Sequence, residues 1–318
     1  MKVLLLPEWG KPFYPRLRKR FPDVDFVEAD EPSEVQRQIR DAEVVFGYLT
    51  DAQFQAAKNL KWIQTLDAGI EGLLARIPAV VESPVVVTNA QGAGGPQIGE
   101  HAVAMILAFS RGLVDFMRLK SERRWDQKFG LSIVQMVLGK TVGIVGLGKS
   151  GIEVAWRCKA LGMHILAVDK QDVDGEPVVE DVWSVDRLGD LLERSDYVVV
   201  TVPYTPQNEN MIGAAELARM KPTAYLIVTS RGRIVEHNAL VEALRDRRIA
   251  GAGLDVVVKE PLPEDNELWE LDNVILTPHI AGNSPELDER TYNIFEENMH
   301  RYLVGEPLRN VVDKVLGY

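Results

Sequence analysis

The sequence holds a single cysteine, Cys158, among 318 residues. That excludes an internal disulfide and a cluster of thiolate metal ligands, and no metal site is expected. Basic residues are also in deficit: 36 Lys and Arg stand against 47 Asp and Glu, a formal net charge of -11. Nucleic acid is therefore not an expected partner, because phosphate binding needs a basic face. The short runs RLRKR (16–20) and RDRR (245–248) read as solvated helix faces. Long apolar runs are missing too. The longest, AVAMILAF (102–109), falls far short of a membrane span, and the opening MKVLLLPEWG reads as a first strand and not a signal peptide. A soluble, cytoplasmic protein without a membrane partner is expected.

What is present is an ordinary globular balance, 46% hydrophobic and 26% charged, on a chain long enough for two cores. Two series of short apolar strands alternate with charged helical stretches. KVLLLP, VDFVEA, EVVFGY, KWIQTL and VVVTNA (85–90) form the first. KTVGIVGLGKSG, HILAVD, DYVVVTVP, AYLIVTSRG, AGAGLDV and NVILTPH form the second. Such alternation predicts α/β architecture with two parallel sheets covered on both faces. Between the series, the stretch from Ile98 is apolar on nearly every side. It predicts one long helix over 98–119, buried at a domain or subunit interface. A last helix is expected over 285–305.

Gly146, Gly148 and Gly151 form G-x-G-x-x-G after a strand and at the opening of a helix, the context a dinucleotide turn requires. Gly146 permits the tight turn, Gly148 admits the pyrophosphate to the backbone, and Gly151 lets the helix pack on the strand. The amides of Lys149, Ser150 and Gly151 then face phosphates at the positive end of the helix. Asp169 ends the next strand, 18 positions beyond Gly151. A carboxylate there accepts both ribose hydroxyls and repels a 2′-phosphate, so NAD is expected over NADP, with Lys170 weakening the preference. The bland alternative is a glycine turn with no ligand.

Three polar residues follow strands of the second series: Arg231, Glu260 and His279. Each alone has a structural reading: an arginine at a helix start, a solvated glutamate, a core histidine bonded to a carbonyl. Together they fall at one sheet edge, with His279 just past a stretch over 273–276 that reads as an inner, buried strand. Reduction of a ketone needs a proton for the carbonyl oxygen, which a histidine can give and retake near neutral pH. A carboxylate at Glu260 would favour and orient the charged ring, and Arg231 offers a planar fork to a carboxylate or keto oxygen.

These residues are recognisable. GLGKSG, the SRG of VTSRGRIVEHNAL, LDVVVKEPLP and TPHIAG, in this order and spacing, resemble the D-isomer-specific 2-hydroxyacid dehydrogenases along almost the whole chain. The ending from His279 looks most like the glyoxylate/hydroxypyruvate reductase branch. The resemblance implies a Rossmann cofactor domain (98–286) inserted into a flavodoxin-like substrate domain (1–97 and 287–318), and a homodimer joined through the helix from Ile98. It makes Arg231 the substrate-orienting arginine, His279 the acid/base and Glu260 its partner. Asp255 would hold the nicotinamide carboxamide, and Pro203, Thr229 and Ser230 would line the cofactor with Lys149, Ser150 and Asp169. Backbone amides at Ala68 and Gly69 would meet the carboxylate of a small 2-keto or 2-hydroxy acid substrate.

Three departures from the family pattern bear on specificity. Val228 replaces a common asparagine, Tyr204 replaces a usual leucine, and the glycine-rich loop 91–101 is longer than common. Formate oxidation is set aside, because relatives with that activity carry glutamine at the position of Glu260. Phosphite oxidation also uses Arg, Glu and His and stays an alternative. So does an NAD-sensing interaction protein of the corepressor kind built on the same scaffold. A turnover assay with NADH and a keto acid panel separates these readings.

Overall fold

The structure, a computed structural model, describes residues 1–6, 10–171 and 177–317. It divides into two compact units, Met1–Gly94 with Ser284–Tyr318, and Gly95–Asn283. These contact boundaries at 94/95 and 283/284 compare with the 97/98 and 286/287 expected from the sequence.

The first unit carries five parallel strands: β1 (Lys2–Leu5), β2 (Asp25–Glu28), β3 (Val44–Phe46), β4 (Trp62–Gln64) and β5 (Val86–Thr88). Their order is β2-β1-β3-β4-β5, the flavodoxin-like arrangement. Every residue of β3 and β4 is buried, so neither strand has a solvent face, and β3 reads as a continuous apolar run while β4 buries the polar Gln64. Phe46 and Trp62 pack on Phe295 of the helix Glu286–Val304, Phe46 in parallel stacking at 4.2 Å between ring centroids.

The second unit carries seven parallel strands: β6 (Thr141–Val145), β7 (His164–Asp169), β8 (Asp181–Ser184), β9 (Tyr197–Val200), β10 (Tyr225–Val228), β11 (Gly251–Leu254) and β12 (Val274–Leu276). The order is β12-β11-β10-β9-β6-β7-β8. The order in which successive strands are added reverses between β6 and β9, the switch point where doubly wound sheets open a crevice for ligands. Because all seven strands run the same way, every residue that follows a strand lies at one edge.

Sequence reasoning missed β8. It is four residues long, closes the sheet edge and has no fully buried position, so DVWS lacks the apolar run that marked the others. β12, expected as an inner buried strand, is the opposite edge and only half-buried. The helix expected over 98–119 is two helices, Gly95–Ser110 and Leu113–Ser121. Gly112, with φ +65, breaks it in the left-handed region that glycine adopts at little cost. The first helix also starts three residues earlier than expected, because Pro96 is tolerated in a first turn. Part of the supposed loop 91–101 is therefore helical. This helix is buried along one stripe (Gly95, Gly99, Ala102, Met105, Ile106, Phe109) and not all round. It packs on the helix Lys149–Ala160 and on β10 and β11. Cys158 lies in that packing, where burial pushes its thiol up to about 12 and leaves it inert. No helix among the described residues is long and apolar enough to cross a membrane.

Asp196 ties together the amino ends of the central strands. It accepts from the Thr141 amide and from Lys221 Nζ, each at 2.9 Å. Burial opposes its charge, but these two donors outweigh burial and hold the carboxyl below the usual carboxylate range. With the folded value depressed, its stabilisation is present above an unfolded value near 4 and is lost as pH falls through the folded one. Asp196→Asn is expected to cost about 1–3 kcal/mol at neutral pH and to weaken the dependence of stability on acid. Urea unfolding at pH 7 and pH 3 measures both; an identical acid dependence in variant and wild type would count against this role.

Candidate active site

The glycine turn joins β6 to the helix Lys149–Ala160. Gly146 has φ +96, closed to most side chains. A Cβ on Gly151 would lie 2.2 Å from the Gly146 carbonyl oxygen, so any larger residue would push the helix off the turn. Gly148 differs: a Cβ there would meet nothing within 4 Å. The turn is thus packed from inside at two glycines and open at the third, as expected for a backbone surface that receives a ligand. Lys149 and Ser150 begin the helix, whose first amides carry partial positive charge. Asp169, at the end of β7, accepts from the Leu147 amide at 2.7 Å and the Gln171 amide at 2.9 Å. Its carboxylate is therefore fixed beside the turn.

At the same edge, Pro203 is exposed beyond β9, while Thr229 and Ser230 follow β10. Thr229 Oγ1 and Ser230 Oγ are buried and have no hydrogen-bond partner among the described residues. Buried hydroxyls without partners are costly, so they mark a place where a polar ligand would supply the missing bonds. The open glycine, the helix end, the fixed carboxylate and the two hydroxyls fit a dinucleotide.

Three further polar side chains follow β10, β11 and β12. Arg231 stands three residues past β10 in extended conformation, with Nη1 donating to the Ser230 carbonyl at 2.8 Å. Glu260 follows β11, and its Oε1 accepts from the Val257 amide at 3.1 Å. His279 follows β12, and its Nδ1 lies 2.7 Å from Glu260 Oε2. The structure therefore brings His279 and Glu260 into contact. A carboxylate can only accept, so Nδ1 carries the proton and Nε2 is left to exchange one. Both side chains are more than a third exposed, at 46% and 38%.

His279 is held unusually. Its φ is +55, a region that costs a non-glycine residue about 1–2 kcal/mol. Asp255 holds the turn in this shape. Its carbonyl accepts from the His279 amide at 2.8 Å. Its carboxylate Oδ1 accepts from Thr277 Oγ1 at 2.6 Å and from the Ile280 amide at 3.0 Å, and Oδ2 from the Ala281 amide at 2.9 Å. Thus Asp255, expected at the nicotinamide carboxamide, has a set of partners within the protein, and its side chain is 1% exposed.

The sequence reading did not find Thr277 or His101, whose Nε2 lies 2.9 Å from Thr277 Oγ1 across 176 residues of chain. No local pattern signals a contact of that span. Of the departures, Val228 is buried in the core of the unit and forms no exposed wall. Tyr204 donates to Glu209 at 3.2 Å. In the first unit, Ala68 is exposed and Gly69 half-buried after β4, with the Ala68 carbonyl held by Asn89 Nδ2 at 2.7 Å.

The sequence model described as "D-isomer specific 2-hydroxyacid dehydrogenase, NAD binding domain" matches residues 103–281. The chain belongs to the D-isomer specific 2-hydroxyacid dehydrogenase family. The matched span contains the glycine turn, Arg231, Asp255, Glu260 and His279. The chain is 36% identical to a glyoxylate reductase of Korarchaeum cryptofilum, over 87% of this chain and 84% of that protein. It is 35% identical to a D-3-phosphoglycerate dehydrogenase of Archaeoglobus fulgidus over 98% of this chain, and spans 59% of that relative. A solved D-isomer specific 2-hydroxyacid dehydrogenase from Xanthobacter autotrophicus Py2, in complex with NADPH and MES, is 26% identical. It matches with a TM-score of 0.85, covering 100% of this chain and 99% of that one. The solved dehydrogenase shares the fold, while the substrates in the two relatives' names differ.

Proposed function

We propose that this protein interconverts a small 2-keto acid and the corresponding D-2-hydroxy acid, of the glyoxylate and hydroxypyruvate kind, with NAD(H). The observation that carries the reading is the His279 Nδ1–Glu260 Oε2 pair, 2.7 Å apart, at the carboxyl edge of a sheet that also bears a dinucleotide turn. A nicotinamide cofactor held at the glycine turn and Asp169 would supply or take the hydride. His279 Nε2 gives the proton to the carbonyl oxygen in reduction and removes it in oxidation, while Glu260 orients the ring and stabilises its charged form. Arg231 holds the acid by its carboxylate or keto oxygen, and the amides of Ala68 and Gly69 are assigned to the carboxylate. Asp255 Oδ2, which accepts only from Ala281 among the described residues, is left with a second acceptor site for the carboxamide. Location in the cytoplasm belongs to the same reading and rests on the sequence alone.

His279→Ala is expected to lower kcat for keto acid reduction by about 10²–10⁴ while leaving NADH affinity nearly unchanged. The measurement is steady-state kinetics with NADH over a panel from glyoxylate and hydroxypyruvate to phenylpyruvate, with NADH binding followed by fluorescence. Binding of NADH without turnover of any panel member would favour the sensing alternative, and NAD reduction by phosphite would favour the other.

The preference for NAD rests on the Asp169 carboxylate, fixed where a 2′-phosphate would meet its charge. NADH should exceed NADPH by about tenfold or more in kcat/KM, about 1.4 kcal/mol, and Asp169→Ala should narrow the gap. Equal use of both by the wild type would refute the assignment.

The homodimer is proposed on the far end of the stretch first expected, 98–119, and on the segment that follows it. Leu113, Met117, Leu131, Met136 and Leu138 are each more than half exposed. Apolar surface on this scale calls for a partner, and a two-fold dimer is the commonest solution. Light scattering should give twice the chain mass; a stable monomer at micromolar concentration would be the contrary result.

A further inference from the structure

The catalytic histidine's turn is tied to a second histidine on a distant segment. His101 lies in the helix Gly95–Ser110, and its side chain is 20% exposed. Its Nε2 is 2.9 Å from Thr277 Oγ1 and 3.6 Å from Asp255 Oδ1. Thr277 has one hydroxyl proton. At 2.6 Å from a buried carboxylate, that proton goes to Asp255 Oδ1. Thr277 Oγ1 can then only accept, so the atom facing it, His101 Nε2, must carry a proton. The result is a directed chain in which His101 Nε2–H donates to Thr277 Oγ1–H, which donates to Asp255. The same carboxylate holds the amides of Ile280 and Ala281, the two residues that follow His279.

We propose that His101 is a positioning residue: through Thr277 it fixes the Asp255 carboxylate, and through Asp255 it holds the turn that keeps His279 at φ +55 against Glu260. It touches no reacting atom. Without its donor, the Thr277 hydroxyl is free to turn to another acceptor, and the carboxylate loses its shortest bond. The turn can then relax from its strained shape, and a shift of about 1 Å in a proton donor is enough to cost about 10²-fold in rate. The structural part of this inference stands on the network alone; its consequence for rate rests on the proposed role of His279.

Two variants and two readouts test it. His101→Leu removes the donor, and His101→Gln restores one, since the glutamine Nε2 reaches as far as the imidazole Nε2. In the ligand-free protein, amide hydrogen exchange at Ile280 and Ala281 should be at least about tenfold faster in His101→Leu and near wild type in His101→Gln. In turnover, His101→Leu should lower kcat by about 10- to 100-fold with KM for NADH little changed, and His101→Gln should recover most of it. Unchanged exchange in His101→Leu would overturn the proposal, as would equal losses in both variants, which would mean that the ring only fills space. If exchange responds as expected but the wild type reduces no keto acid, the positioning link is upheld and the proposed function fails instead.

Discussion

The Asp255 carboxylate, almost sealed from water at the end of β11, takes hydrogen bonds from Thr277, Ile280 and Ala281. A buried carboxylate left unpaired costs several kcal/mol, and each charge-assisted bond returns about 1.5–3 kcal/mol. The strain of a left-handed residue in the turn is only about 1–2 kcal/mol. The carboxylate therefore prevails, and the segment after β12 folds around it whatever His279 would prefer alone. The position of the histidine is a consequence of the burial of an aspartate, and its contact with Glu260 follows from that position.

The two halves of the candidate site rest on different physics. The dinucleotide half is built by exclusion: Gly146 and Gly151 are small because protein atoms occupy the space beside them, and Gly148 is small facing open space. The half that holds His279 is built by hydrogen bonds that converge from β11, β12 and the helix Gly95–Ser110. Parallel topology unites them, since each strand delivers its following loop to the same edge. A change in one half should leave the other in place, because the turn after β6 and the turn after β12 share no side chain in these contacts.

What could be read from the sequence follows the same division. The glycine turn was legible because steric exclusion forces one residue type at fixed spacing, and Asp169 followed from its distance along the chain. The continuously buried strands β3 and β9 were legible because nothing polar stands among their core residues, and β6 because four buried residues follow Thr141. β8 was not, since a four-residue edge strand with exposed ends has no such run. The break at Gly112 was hidden because apolar residues continue on both sides of it. Glu260 and His279 were legible as loop residues after strands, but the agent that holds the His279 turn was not. Asp255 is a single letter in LDV, and its partners are backbone amides, which carry no residue signature. His101 was further out of reach, as 176 residues separate it from Thr277.

The central claim is that this network leaves the His279 ring with its proton on Nδ1, bonded to Glu260, and with Nε2 bare to exchange one. The nitrogen resonances of the ring report this directly. With the histidines labelled with ¹⁵N and the ring neutral, the account predicts a protonated Nδ1 and an unprotonated Nε2 for His279, and loss of that preference in Glu260→Gln. A ring found with its proton on Nε2 in the wild type, or a tautomer indifferent to Glu260, would contradict it.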